Sequence, residues 1–370
     1  MTKLNELFDL YDQSAWIDNI RRDWLRDGTL AHLVEQGVRG VTSNPSIFAK
    51  ALATSSAYDD AIRQAGSLEP EALFETLAIA DVKEACDVLA GVHAAAQRDF
   101  AAGRRRHGDG FVSLEVSPRL ARDTEMTISA ALRLWNEVDR PNLMIKIPAT
   151  IEGLPAISEV LSHGVNVNVT LIFSVDRYAD VIGAWARGIR AAVEAGHDAS
   201  RIASVASFFV SRVDVADDAL LVDGDPRRGT TANAQAAQAY ETYQTLFSAP
   251  EIRELVGRGV QVQRPLWAST STKNPHYDDL LYVNALVAPE TVNTMPDATL
   301  EAALDHGDFT ASLLADPDVR RAQAARLDAL PDDVSLSAVT AQLERDGVDA
   351  FVASYEEVLG TVATAQARLA

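Results

Sequence analysis

The chain alternates short apolar runs with longer stretches in which apolar residues return every three or four positions. The short runs, read as strands, cover residues 15–19, 38–43, 111–116, 143–148, 165–173, 202–210, 262–269 and 291–295. Several are nearly continuous rather than alternating, as parallel strands covered on both faces are. Helical periodicity fills the intervals, for example over 71–102, 124–138, 175–195 and 232–247. Eight strands separated by helices predict a (β/α)₈ TIM barrel rather than an open sheet. The pattern is faintest at the eighth strand. From about residue 300 the 3.6-residue period predicts terminal helices closing the outside of the barrel. No linker or low-complexity tract divides the chain, so residues 1–370 are expected to form one domain.

In such barrels the reactive side chains stand at the C-terminal ends of the strands and in the loops that follow. The polar residues that interrupt the runs there are Asp18, Asn44, Glu115, Lys146, Asn168, Thr170, Ser207 and Arg212. Lys146 stands out within Asn-Leu-Met-Ile-Lys-Ile-Pro-Ala-Thr, because burying an ammonium group is costly. It is either an edge-strand lysine that snorkels to water or one that points into a barrel, where no strand is an edge. Inside, desolvation favours the neutral amine, which attacks a ketone to form an imine. Asp18 and Glu115 are strand-borne carboxylates suited to the proton transfers of carbon–carbon cleavage, or, as plain structure, helix caps and ion-pair partners. Asn44 marks a strand end before Pro45 and offers an amide for a hydroxyl. Asn168 and Thr170 are two apart and share a strand face. They form either a substrate-facing pair or an inter-strand network. Arg212, Lys273 and the hydroxyls of Ser269, Thr270, Ser271 and Thr272 fall after the sixth and seventh runs, a common phosphate position in barrels.

Composition narrows the partners. The chain is 47% hydrophobic with a formal net charge of −20, which argues against nucleic acid and anionic membranes. An anionic substrate therefore needs a local basic pocket. Cys86 is the single cysteine, among acidic neighbours, so neither an internal disulfide nor an activated thiol is expected. There is no His-Glu-x-x-His spacing, no Gly-rich nucleotide loop and no Gly-x-Ser-x-Gly, so no metal and no cofactor is expected. With no signal-like start and no long apolar run, a cytoplasmic location is expected.

Two segments resemble signatures of the transaldolase family. Gly-Val-Thr-Ser-Asn-Pro-Ser-Ile-Phe (40–48) is similar to its N-terminal motif, and Leu-Met-Ile-Lys-Ile-Pro-Ala-Thr-Ile-Glu-Gly-Leu (143–154) to its active-site lysine motif. The segments around Asp18, Glu115, Asn168, Thr170, Ser207 and Arg212 follow in the family's order, and the resemblance spans about 14–296. The length resembles the longer bacterial branch, without a fused isomerase domain. The resemblance implies a class I aldolase-type barrel and transfer of dihydroxyacetone between sugar phosphates in the non-oxidative pentose phosphate pathway. The exchange links sedoheptulose 7-phosphate plus glyceraldehyde 3-phosphate to erythrose 4-phosphate plus fructose 6-phosphate. By that implication Lys146 forms the Schiff base and Asp18 is the general acid/base. Glu115 with Thr170 positions water, Asn44, Asn168 and Ser207 hold the dihydroxyacetone portion, and Arg212 and Ser271 bind phosphate. Lys273 departs from the pattern. Familiar members carry an arginine there, and lysine keeps the charge while losing the forked geometry.

Two other activities use the same residues. One is a Schiff-base aldolase that releases free dihydroxyacetone, and the other is a non-catalytic sugar-phosphate-binding barrel. The helical segment 50–102 and the terminal helices either build a homodimer interface or cover the barrel.

Overall fold

The computed structural model describes residues 1–329 and 335–369. Eight parallel strands close into a barrel in sequence order: β1 (Gln13–Ile17), β2 (Val38–Val41), β3 (Val112–Glu115), β4 (Leu143–Pro148), β5 (Val167–Ile172), β6 (Ser204–Phe209), β7 (Arg264–Ala268) and β8 (Thr291–Met295). The expected strands are all present, and β8, the faintest by pattern, pairs with β1 along its full length.

The continuous apolar character of the strands has a direct cause. Ala15, Ile17, Val112, Leu114, Ile145, Ile147, Val167, Val169 and Trp267 pack outward into the layer under the helices. The residues that alternate with the outward set, Trp16, Phe111, Met144, Val205, Leu266 and Val292, form a second cluster within the barrel. The period-2 alternation of a strand thus separates two apolar layers rather than an apolar and a polar one. Close approach inside the barrel requires Gly40, because a Cβ there would lie 2.4 Å from the Trp16 ring.

On the inner face, the next position along several strands is polar. Met144 is followed two residues later by Lys146, and Ser113 by Glu115. Register brings these together: Glu115 pairs with Lys146 across β3–β4, and Lys146 with Asn168 across β4–β5. β4 is hydrogen-bonded on both sides, so Lys146 is not an edge-strand lysine.

The terminal helix, Leu336–Leu369, differs from the expected outer cover. It crosses the C-terminal mouth of the barrel, packed on the helices Pro45–Thr54, Pro70–Ala101 and Ser211–Asp218 and on β5. Its buried seam, Val348, Tyr355, Val358, Val362 and Ala365, has the three-, four- and seven-residue spacing of one helix face. Gly347 allows the close approach, since a Cβ there would lie 3.1 Å from the Leu171 side chain. The 50–102 segment supplies two of the helices on which it rests, so both segments cover the barrel. Among the described residues no helix is long and apolar enough to cross a membrane.

Candidate active site

Lys146 occupies the centre of the mouth and is 5% exposed. Its Nζ donates to the Ser43 carbonyl at 3.2 Å and lies 3.7 Å from Glu115 Oε2. The face of the Phe351 ring, from the terminal helix, is centred 5.5 Å away. Among the described residues one carboxylate, that of Glu115, lies at ion-pair distance from the amine, beyond hydrogen-bond reach. A single loosely held partner is modest compensation for a buried cation.

Glu115 Oε2 has no hydrogen-bond partner among the described residues. Burial pushes its carboxyl up to about 7, against the opposing pull of Lys146, with Asp18 adding to the rise. Asp18, just beyond the end of β1, is also raised by burial, opposed by Lys146 and by the Thr42 hydroxyl, which donates to it at 2.6 Å. Thr42 in turn shares a 2.7 Å contact with Thr294 of β8. Two carboxyl groups, both of raised pKa, flank one amine, and a carboxyl shifted upward in this way is better suited to stepwise proton transfer.

The polar face of β5 divides its work. Asn168 donates to Ser113 Oγ at 3.0 Å and accepts from Ser207 Oγ at 2.7 Å, which ties β3, β5 and β6 together. The pair is divided: Asn168 belongs to an inter-strand network, while Thr170 lines the cavity, its buried Oγ1 without a partner among the described residues. Beyond Thr170 the backbone turns at Leu171, whose φ of 58° is strained for a branched side chain, and the β5–β6 register slips there. Ser269 at the end of β7 has a similar φ of 57°. Strain of this kind gathers at functional sites.

The cavity measures about 280 Å³ and is lined by Asp18, Asn44, Lys146, Thr170, Ser207, Arg212, Ser271 and Lys273, together with Phe209 and Phe351. Asn44 also caps the Pro45–Thr54 helix, accepting from the Ile47 amide at 3.2 Å and the Ser46 hydroxyl at 2.5 Å. At the far side, burial lowers the pKa of Arg212, and both burial and Arg212 lower that of Lys273. Lys273 donates to Ser271 Oγ at 2.5 Å. Two cations of like charge share one corner of an acidic protein, which suits a phosphate. Thr270 and Thr272, also candidates from the sequence, are committed to structure: Thr270 bonds Asn293 and the Thr294 carbonyl, and Thr272 the carbonyls of Asp278 and Asp279.

The family described as Transaldolase/Fructose-6-phosphate aldolase matches residues 15–362. The chain belongs to that family. It is 48% identical over 357 residues to the transaldolase of Saccharopolyspora erythraea, with 94% of each chain covered. With the transaldolase of Thermobifida fusca the identity is 49% over 359 residues, covering 95% of each. With that of Mycolicibacterium smegmatis it is 46% over 355 residues, covering 94% of this chain and 93% of the relative. The family match extends beyond the 14–296 span of the sequence motifs and takes in most of the terminal helix.

The residues given roles from the family resemblance, and Lys273, stand at this mouth. Eight of them line the cavity, Glu115 lies beside Lys146, and Asn168 supports the wall. Sequence reasoning passed over Thr42, Thr294, Phe209 and Phe351. Thr42 sits two residues before Asn44, so the strand period was available to flag it. Phe351 carried no such signal, because its helix is remote in sequence from every strand.

Cys86 is buried in the helix Pro70–Ala101, where burial pushes its thiol pKa upward. That environment makes it inert.

Proposed function

We propose that this chain is a transaldolase that transfers a dihydroxyacetone unit from sedoheptulose 7-phosphate to glyceraldehyde 3-phosphate through a Schiff base on Lys146. The observation that carries the reading is the amine itself. It is buried on a strand with pairing on both sides and weakly partnered, and two carboxyl groups of raised pKa flank it in a cavity that holds two cations.

In this reading the Lys146 amine adds to the donor ketone and expels water. Glu115, with the free Thr170 hydroxyl, handles that water, since both present unpartnered oxygens there. Asp18 takes the proton from the donor hydroxyl as the carbon–carbon bond breaks and returns one to the acceptor oxygen as the new bond forms. Thr42 holds the Asp18 carboxylate in orientation. Asn44, Ser207 and, through Ser207, Asn168 hold the three-carbon fragment. Arg212, Ser271 and Lys273 hold the phosphate. All these groups come from one chain, so the chemistry asks for no second copy and no cofactor. A cytoplasmic enzyme of sugar-phosphate metabolism is the setting this activity implies.

The test is acceptor dependence. Supplied with fructose 6-phosphate, the enzyme should release glyceraldehyde 3-phosphate in sustained turnover only when erythrose 4-phosphate is present, with sedoheptulose 7-phosphate as co-product. Equal turnover without the acceptor, accompanied by free dihydroxyacetone, would identify an aldolase instead.

A further inference from the structure

We propose that Phe351, carried onto the mouth by the terminal helix, shields the Lys146 adduct from water and thereby sets the ratio of transfer to hydrolysis. This rests on the Schiff-base reading given above. Phe351 is the residue of the terminal helix that lines the cavity, and its ring stands over the Lys146 amine. The other groups named around that amine, Ser43, Glu115, Asp18 and Thr170, are polar and belong to strands or to the loops at their ends. The cavity's other aromatic residue, Phe209 of β6, packs its ring on Phe173, whereas the Phe351 ring lies over the nucleophile.

After carbon–carbon cleavage the fragment remains on Lys146 as an enamine, which has two fates. In transfer, its nucleophilic carbon attacks the aldehyde carbon of the acceptor, and the aldehyde oxygen takes up a proton. In hydrolysis, the same carbon is protonated and water adds to the resulting iminium carbon. The carbinolamine then collapses to free dihydroxyacetone and the lysine amine. Both fates need a proton and both end with water at an iminium carbon to free the lysine, but only in the second does solvent reach the bare three-carbon fragment, at its enamine carbon, before an acceptor has bonded. An aromatic ring over that position excludes water while presenting a π-face to the cationic iminium. The helix fixes the ring in place through Val348, one turn earlier and buried, and through Tyr355, one turn later, whose hydroxyl bonds Glu71 at 2.9 Å. Gly347 sets how closely the helix, and so the ring, can approach the strand ends. Phe351 is thus a positioning residue for the outcome of the reaction rather than for its initiation.

The experiment is rapid mixing of the full-length enzyme with fructose 6-phosphate and no acceptor, following glyceraldehyde 3-phosphate. The wild-type chain should give a burst of one equivalent per Lys146, then a slow phase set by hydrolysis. Phe351→Ala should keep the burst and speed the slow phase by about tenfold, the scale of losing a desolvated cation–π contact. Phe351→Leu keeps apolar bulk on the helix and should speed it by about threefold, a smaller share of the same effect, so it serves if alanine loosens the helix. Val362→Ala, which weakens the same helix about three turns beyond the ring, should leave the slow phase unchanged. An unchanged slow phase in both Phe351 variants, or an equal rise in Val362→Ala, overturns the proposal. Absence of a burst in the wild-type chain defeats the Schiff-base reading itself, a different failure that the first trace reveals.

Discussion

The two ends of the barrel each bury a carboxylate among cations, and the two carboxylates titrate in opposite directions. At the N-terminal end, Asp109 accepts from Ser14 at 2.5 Å, Trp16 at 3.0 Å, Arg39 at 2.8 Å and the Gly110 amide at 3.1 Å, with Arg264 3.8 Å away. Its pKa is held to about 2 although it is fully buried. Arg264 is in turn fixed by Ser14 and the Thr291 carbonyl. At the C-terminal end, Glu115 has one cation beyond hydrogen-bond reach and an oxygen with no partner, and it rises to about 7. Burial is similar, so the number of aligned donors decides the sign. A fully satisfied carboxylate is a rivet, while one left short of donors is free to exchange a proton.

Four changes test that contrast, from the largest expected effect to the smallest. Lys146→Ala should reduce transfer by at least about 10⁴-fold, since the nucleophile is lost, while stability to urea stays equal or rises. Asp109→Ala should do the reverse. It leaves Arg39 and Arg264 without their shared carboxylate and should cost about 3–5 kcal/mol of unfolding free energy, with the folded fraction still reactive at Lys146.

Glu115→Gln sharpens the comparison through pH. A carboxyl whose folded pKa is raised binds more protons folded than unfolded, so its contribution to stability falls as pH rises from its ordinary 4.5 to about 7. The glutamine variant should match the wild type below that window and exceed it by about 1–3 kcal/mol above it. Its activity should drop about 10²- to 10⁴-fold. Asp109 has the opposite slope, because its lowered pKa adds stability that is lost only as pH falls from 3.8 toward about 2. Urea unfolding across pH for the Asp109 and Glu115 variants should therefore show two separate windows. The smallest effect belongs to Lys273→Ala. It should raise KM for the phosphorylated donor about tenfold with little change in kcat, as loss of one charge-assisted contact does.

The contrast also explains what the sequence disclosed. Lys146, Glu115 and Asp18 were legible because each interrupts an apolar run, and a charge in such a place is conspicuous. β4 and β8 matched the expected ranges, whereas β5, Val167–Ile172, is shorter than its apolar run at both ends. The Asp109 cluster was not legible. Ser14, Arg39, Asp109 and Arg264 lie at strand starts and in a preceding loop, where polar residues are ordinary, and only the barrel's closure brings them together. The terminal helix was legible as a helix, but its path was not. Its seam says that one face is buried, and the partner for that face comes from helices nearly 300 residues earlier.

The most direct measurement is borohydride trapping at the mouth. The enzyme is incubated with fructose 6-phosphate, reduced, digested and mapped by mass spectrometry. The adduct should be a three-carbon unit on Lys146. It should be absent from Lys146→Ala and lost when erythrose 4-phosphate is added before reduction. An adduct on another lysine that persists in Lys146→Ala, or none at all, would contradict the assignment of the under-partnered end of the barrel as the seat of the chemistry.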